Sequence, residues 1–486
     1  KNSNTLINFC QCFRRKYILK KPQNVVIISS CTISDCKGII IMEKNEIDMI
    51  NGPLARKILV YSVPLMFSNL LQVFFNLTDV AVVGKFAGSR ALGSVGSTTI
   101  IITLTTGILL GMGGGVNATT ALYIGANDNE RVHRTVNTSV LLCFAAGILL
   151  LLSGLIFTRP LLGAMNTKPE LIDGAATYLM IYLCGSPALA IFNFGNGVLN
   201  AVGDTKRPLM YLMTAGIVNI ILNLFFVIVC KMGVSGVALA SIIAQYLSAF
   251  LIIRCLIVTK QSYRLSFSSV GFDKEAALGV LRIGVPAAVQ YSLFAVANIC
   301  IQTSINQFSH VVVEGNSAAT NADSFIYDMM AAFYTACTSF IAQNLGAHKK
   351  ARIMKIYGIT LLYSFLLGLI SGLFLYLFQN GFLSLFTNDA DVIAYGKVRI
   401  GVMAFCYCVS AFMDTAAAAA RGLGKSIIPT IIVIVGSVVF RIVWLLTIFA
   451  YFKSLESLYL VYVCSWIVTA IAGNIYYLYH YRKIPG

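Results

Sequence analysis

The sequence predicts an all-α polytopic membrane protein of twelve spans arranged as two related six-helix halves, on three observations. Of its 486 residues, 58% are hydrophobic and 11% are charged, whereas soluble domains carry about a quarter charged residues. Apolar runs of the length that crosses a bilayer as a helix, about 20 residues, recur along almost the whole chain. The chain also repeats itself at a fixed spacing. The short alternating segments of a membrane β-barrel do not occur.

Taken in order, residues 1–41 carry seven Lys/Arg against one Asp, and their apolar stretch 25–33 is too short to span. They are expected to be upstream sequence foreign to the native protein, or a disordered basic cytoplasmic tail. Met42 opens “MEKNEIDMINGPLARKIL” (42–59), a polar lead into the first span. Apolar runs between turn and charge clusters then place spans 1 to 6 at 58–83, 92–116, 137–157, 173–200, 209–230 and 234–258. Spans 7 to 12 follow at 278–306, 318–344, 357–379, 393–420, 427–450 and 457–481. The halves are 42–258 and 278–486, joined by a basic linker at 259–277.

The repeat rests on three ordered anchors. “SVPLMFSNLLQVFFN” (62–76) aligns with “GVPAAVQYSLFAVAN” (284–298) at an offset of 222, matching Pro64 to Pro286 and Asn76 to Asn298. “YIGANDNERVHR” (123–134) aligns with “NLGAHKKARIMK” (344–355), and “LNAVGDTKRP” (199–208) with “ARGLGKSIIP” (420–429), both at 221. Six spans per half insert both halves the same way round, about an axis along the membrane normal, and such repeats flank substrate paths.

Lys and Arg set the orientation. Beyond residue 44, nineteen fall on the side of the amino terminus and the even-numbered loops, against eight on the other, Lys397 and Arg399 among the eight. Both termini are therefore expected in the cytoplasm. The net charge of +17 is explained by these loops and gives no reason to expect nucleic acid. Four of the 13 cysteines precede residue 42 and the rest are scattered singly, as small apolar residues rather than a disulfide framework.

The chemistry concentrates in “LLQVFFNLTDVAVVGKFAG” (70–88), where Asp79 sits in an otherwise lipid-compatible run with no basic residue on its face. Ser62, Asn69, Gln72, Asn76 and Asp79 follow at steps of seven, three, four and three, which predicts one polar face turned toward the bundle interior. Interhelical packing accounts for Ser62 and Asn69. A buried acid costs at least about 2.5–3.5 kcal/mol on insertion scales and so points to function. The matching position in the second half is Ile301, so the scaffold does not demand an acid there. Asn219 and Asn223 share a face of span 5, and Ser241 on span 6 adds a hydroxyl. One carboxylate with neutral oxygens suits H⁺ or Na⁺, and nothing resembles a divalent cage.

Asp323 and Asp328, five apart near the start of span 8, are not expected to stack on one face. Asp414 on span 10 and Arg441 on span 11 are expected either to pair with each other or to line a substrate path. Gly107, Gly111 and Gly115 predict a close helix approach. The four histidines lie far apart at loops or span ends, and no metalloprotease, nucleophile-elbow or P-loop pattern is present. The chain is therefore read as a transporter, neither an enzyme nor by itself an ATPase.

At this point the residues resemble a family. “MINGPLARKILVYSVPLMFSNLLQVFFNLTDVAVVGKFAG” (49–88) resembles the opening of bacterial multidrug and toxic compound extrusion (MATE) transporters of the MOP flippase superfamily. “YIGANDNERVHRT”, “LNAVGDTKRP” and “ARGLGKSIIP” resemble that family's cytoplasmic loop motifs. The resemblance covers residues 42–486. It implies two lobes about a central V-shaped cavity, with cation influx driving drug efflux as the lobes rock, in a bacterial inner membrane. Similar members hold the cation on an acid of span 1, an Asn and an Asp of span 5, and a hydroxyl of span 6. Asp79, Asn219, Asn223 and Ser241 occupy those positions, with Asn223 an amide where those members have a carboxylate. That departure leaves H⁺ and Na⁺ both open. Another branch uses acids of the second lobe; Gln290 stands near its span 7 acid and Asp414 does not fall at its span 10 spacing, so that site is not carried over.

The implied partners are small-molecule drugs and membrane lipids, for a monomer with no cofactor. Pro64, Asn69, Gln72, Asn76, Gln290, Asn298, Asp323, Asp414 and Arg441 are the candidate path or hinge residues. A lipid-linked saccharide flippase of the same superfamily is the alternative, for which only Arg441 suits the cationic cavity; a non-pumping receptor or channel is the other.

Overall fold

Among the described residues, ten uninterrupted helices and two bent pairs follow one another in the order the hydropathy predicts. The computed structural model describes residues 45–485 except 166, 267 and 269, so the expectation for residues 1–41 falls outside it. Among the described residues there is no strand. Spans 1 to 6 are Leu54–Ala87, Arg90–Gly125, Asn129–Ala164, the pair Pro169–Leu183 and Ser186–Ala201, Lys206–Val229 and Gly233–Val258. Spans 7 to 12 are Lys274–Ile305, His310–Gly346, Lys350–Leu377, the pair Ala390–Met403 and Tyr407–Gly422, Ile427–Phe452 and Leu455–Arg482.

Local chemistry explains where several helices start. The Asp128 carboxylate accepts from Arg131 N at 3.0 Å and that of Asp273 from Ala276 N at 2.8 Å, capping spans 3 and 7. Pro169 opens span 4, where its missing N–H leaves no helix bond unmade. Most helices run past their apolar runs, because polar first and last turns continue the helix beyond the hydrocarbon.

Spans 4 and 10, each expected as one apolar run, are broken: the halves meet at 44° and 50°. The breaks fall between Leu183 and Ser186 and between Met403 and Tyr407, equivalent places in the repeat. π-helical turns likewise recur at Phe225–Val229 in span 5 and Leu445–Phe449 in span 11. Span 11 has a second, Ile434–Val439, and span 1 ends in one, Val83–Ala87.

The glycine stripe of span 2 does what its spacing predicts. A Cβ on Gly111 would lie 2.3 Å from Ala288 N, and one on Gly115 would lie 2.5 Å from Val280 O, so span 7 packs backbone to backbone there. Gly125 and Gly346 meet in the same way, with Gln343 O and Leu122 O each 2.0 Å from the Cβ that would be added. The loop motif glycine Gly203 has φ +88° and a Cβ there would strike Ile47 O at 2.6 Å; Gly424, its repeat mate, has φ +73°. Only glycine takes that backbone readily.

The two halves are tied at the end that carries residues 45–53. Tyr61 Oη donates to Asn200 O at 3.1 Å and shares a 2.9 Å bond with Ser339 Oγ, itself 3.0 Å from Asn117 Oδ1. Gln343 Nε2 donates to Ala201 O at 2.7 Å and Asn344 Nδ2 to Met49 O at 3.1 Å. Lys349 and Arg352 hold the carbonyls of Ile50 and Gly52. Beneath these bonds Met49, Ile58 and Tyr61 share one apolar core with Phe340, Ile353 and Tyr477. Among the described residues, side-chain hydrogen bonds between the halves run from this end only as far as Asn69 and Asp328.

Candidate functional site

Asp79 is buried, 9% exposed, near the end of span 1. Its Oδ1 accepts from Asn223 Nδ2, and its Oδ2 from Ser241 Oγ at 2.9 Å. Asn223 Nδ2 also reaches Asn219 Oδ1 at 3.2 Å, and Asn219 Nδ2 donates to Ser241 Oγ at 3.3 Å. The structure thus brings together all four residues singled out on spans 1, 5 and 6. No ion pair reaches Asp79 among the described residues; the pairs found there lie elsewhere. A carboxylate held only by neutral donors can change its charge without breaking a salt bridge. Asn223 Oδ1 is buried with no partner, and the π-helical turn begins two residues beyond it.

The polar stripe of span 1 divides rather than presenting one face. Ser62 is buried, Asn76 is exposed and Gln72 lies between. Asn69 Nδ2 crosses to the other half and donates to Asp328 O at 2.8 Å. The cumulative steps from Ser62 to Asp79 drift around the helix, so Asp79 turns into its own half while Asn69 faces the other. Pro64 is buried within an unbroken helix, its carbonyl accepting from Ser68 Oγ at 3.0 Å.

A cavity of about 580 Å³ opens against the second half, with spans 2 and 4 contributing Asn117, Asn193 and Asn200 to its wall. Gln290, Asn298, Asp323, Asp328, Asp414 and Arg441 all line it. Asp323 and Asp328 share it although five residues apart, because both lie well inside a span that begins at His310 rather than at its start.

Of the two alternatives for Asp414 and Arg441, an ion pair between them is not made among the described residues. Arg441 Nε donates to Ser465 Oγ at 3.2 Å and Nη1 to Asn298 Oδ1 at 3.4 Å, while its guanidinium lies over the Tyr462 ring at 4.6 Å. The ion pair of this cavity is Asp323 with Arg399, supplemented by Tyr407 Oη. Arg399, counted above among outer-loop cations, is 2% exposed inside span 10. Its position six residues into the predicted span 393–420 was the signal that separated it from a loop residue. Arg421 also lines the cavity, which therefore carries three arginines where one was expected. Among the described residues no group of three or more His, Cys, Asp and Glu could hold a metal ion.

The MatE family model matches twice, at residues 64–225 and 286–446, starts that lie 222 residues apart like the first anchor of the repeat. A probable multidrug resistance protein of Bacillus subtilis, YpnP, is 27% identical over 360 residues, 74% of this chain and 80% of that protein. A protein of Shewanella oneidensis named as a FAD transporter is 26% identical over 376 residues, 75% and 81% of the two. A MOP superfamily transporter from Pyrococcus furiosus has a similar fold, with a TM-score of 0.85 at 21% identity over 90% of this chain and 98% of that one.

Proposed function

Because the chain belongs to the MatE family of multidrug efflux transporters, we propose that it is a cation-coupled antiporter that exports amphipathic organic compounds by alternating access. The observation that carries this reading is the isolated, neutral-donor environment of Asp79. The proposed coupling ion is H⁺. Asp79 is the single carboxylate of the cluster, and both of its oxygens already accept from neutral donors, Asn223 Nδ2 and Ser241 Oγ, a setting that one proton satisfies. Protonation turns one Asp79 oxygen into a donor. Rotation of the Asn223 amide would then offer it the oxygen that now lacks a partner.

Span 1 is the proposed link to the substrate. Asp79 and Asn69 are ten residues apart, about 15 Å along the helix. One belongs to the cluster in the first half, and the other bonds the backbone of Asp328 on the cavity wall of the second. A change at Asp79 that bends span 1 near Pro64 alters that contact. Residues 42–258 and 278–486 act as the rocking lobes around the linker 259–277. The excess of Lys and Arg at the tied end supports cytoplasmic termini in a bacterial inner membrane, so that the cavity opens outward. A monomer suffices, since both lobes lie in one chain, with small organic molecules as substrates and lipid as surroundings.

The lipid-linked saccharide flippase gains one point from the three cavity arginines, but three aspartates on the same wall oppose them. Binding of an undecaprenyl-linked substrate would favour it. The test of antiport is efflux from proteoliposomes under an imposed pH gradient, Na⁺ gradient or voltage. Uphill export driven by the pH gradient alone is expected; export indifferent to all three would overturn the reading.

A further inference from the structure

Resting on the export reading, one feature of the cavity specifies substrate chemistry. Arg441 is 2% exposed, yet it has no carboxylate within 4.0 Å among the described residues. Its faces are covered by Tyr462 at 4.6 Å and Phe294 at 5.8 Å. Two of its nitrogens reach neutral oxygens, on Ser465 and Asn298, and Nη2 has no acceptor among the described residues. An arginine buried with only neutral hydrogen-bond partners carries a desolvation cost that no ion pair offsets, and Arg441 lines the cavity together with Asn298, Phe294 and Tyr462. The other deep arginine of that wall, Arg399, already has Asp323.

The repeat makes the position more telling. With the offset of 221 that relates the “LNAVGDTKRP” and “ARGLGKSIIP” motifs, Arg441 falls on Ile220, next to Asn219, and with the offset of 222 of the first anchor Ile301 falls on Asp79. The first half thus holds an acid outside any ion pair, and the second half holds a base outside any ion pair at nearly the same place, among the described residues. Arg441 also lies between the two π-helical turns of span 11, a widening of the helix that is frequent at functional sites.

We propose that the cavity receives substrates bearing an oxyanion, a carboxylate or a phosphate, docked on the guanidinium of Arg441 beside the Asn298 amide. The planar fork of arginine matches such groups bidentately. Asp328 and Asp414 on the same wall leave room for a positive group elsewhere on the molecule, so a zwitterion satisfies both ends. A zwitterion moves no net charge, and its exchange for a proton keeps the whole voltage term.

The full chain, purified in detergent, is titrated by fluorescence polarisation with rhodamine B and with its ethyl ester, which share the cationic ring system and differ in the free carboxylate. The wild type should bind the acid at least tenfold more tightly, about 1.4 kcal/mol. Arg441→Gln should bring the two within twofold with the ester still bound, which also shows that the variant is folded. Arg441→Lys should retain part of the preference. Displacement of rhodamine B by inorganic phosphate extends the site to phosphates, and its failure restricts the site to carboxylates; either keeps the oxyanion assignment. Equal binding of acid and ester by the wild type, or a preference that survives Arg441→Gln, overturns it. Binding in detergent does not need coupling. Acid preference without efflux would therefore refute the export reading alone, and pH-driven efflux of the ester without acid preference would refute the oxyanion site alone.

Discussion

Removing the Arg399 guanidinium should destabilise the second lobe far more than removing it together with its partner. Arg399 donates to Asp323 Oδ2 and, at 2.9 Å, to Asn316 Oδ1, and lies against the Tyr459 and Tyr462 rings at 5.2 and 5.4 Å. The side chains of Arg399 and Asp323 are 3% and 16% exposed, so solvent screens them little. In Arg399→Met the carboxylate stays buried with only Tyr407 Oη to bond it, a loss of about 3–5 kcal/mol. Unfolding entropy of about 2.1 cal/mol/K per residue makes 1 kcal/mol worth about 1 °C in a chain this long. The melting temperature in detergent should therefore fall by about 3–5 °C. Asp323→Leu should cost a similar amount, and the double substitution should return most of the loss, since a buried pair replaced by apolar groups is nearly neutral. Losses that simply add in the double variant would refute a coupled pair.

Three other outcomes are expected. Gly111→Val drives a side chain into the Ala288 backbone and should cost about 1–3 kcal/mol of stability with loss of efflux, whereas Gly96→Ala, which meets nothing within 4 Å, should be silent in both assays. Asn223→Asp puts a second carboxylate against Asp79 and should make efflux respond to a Na⁺ gradient; efflux that stays proton-driven and Na⁺-blind would argue against Asn223 as the ion-selecting group. Burial pushes the Asp48 carboxyl up, but the N–H groups of Asn51 and Ile50 and the Lys57 ammonium outweigh it and hold it below its ordinary value. A depressed acid stabilises the fold above its unfolded value and loses that contribution as pH falls through the folded one. Protease access to residues 45–53 should accordingly rise only below about pH 4, the ordinary range of Asp, and Asp48→Asn should remove that pH dependence.

The sequence disclosed most of the architecture because apolar length and repeat spacing are one-dimensional properties. Helical spacing set Asn219 and Asn223 on one face and the missing repeat mate at Ile301 singled out Asp79, while the family resemblance joined these residues and Ser241 into one site. The cavity was less legible. Which of Asp323, Asp414, Arg399 and Arg441 pair depends on how spans 8, 10, 11 and 12 rotate against one another. The break after Met403, which carries no proline, helps set that rotation. Arg399 was misplaced because charge counting treats every Lys or Arg near a span end as solvated. The drift of the span 1 stripe has a simpler origin, since steps of three and four residues approximate a helical face but accumulate an angle.

Coupling through Asp79 is tested most directly by substrate-evoked proton movement in proteoliposomes carrying a trapped pH dye, compared between wild type and Asp79→Asn. One inward charge at roughly 100 mV supplies about 2.3 kcal/mol and a tenfold gradient about 1.4 kcal/mol; together they support accumulation of a substrate without net charge by a few hundredfold. Exchange for a monovalent cation loses the voltage term and leaves about tenfold. The wild type should move protons when substrate is added on the side it exports from, and Asp79→Asn should bind substrate yet move none. Substrate-evoked proton flux of wild-type size in Asp79→Asn would contradict the assignment of that carboxylate as the coupling group.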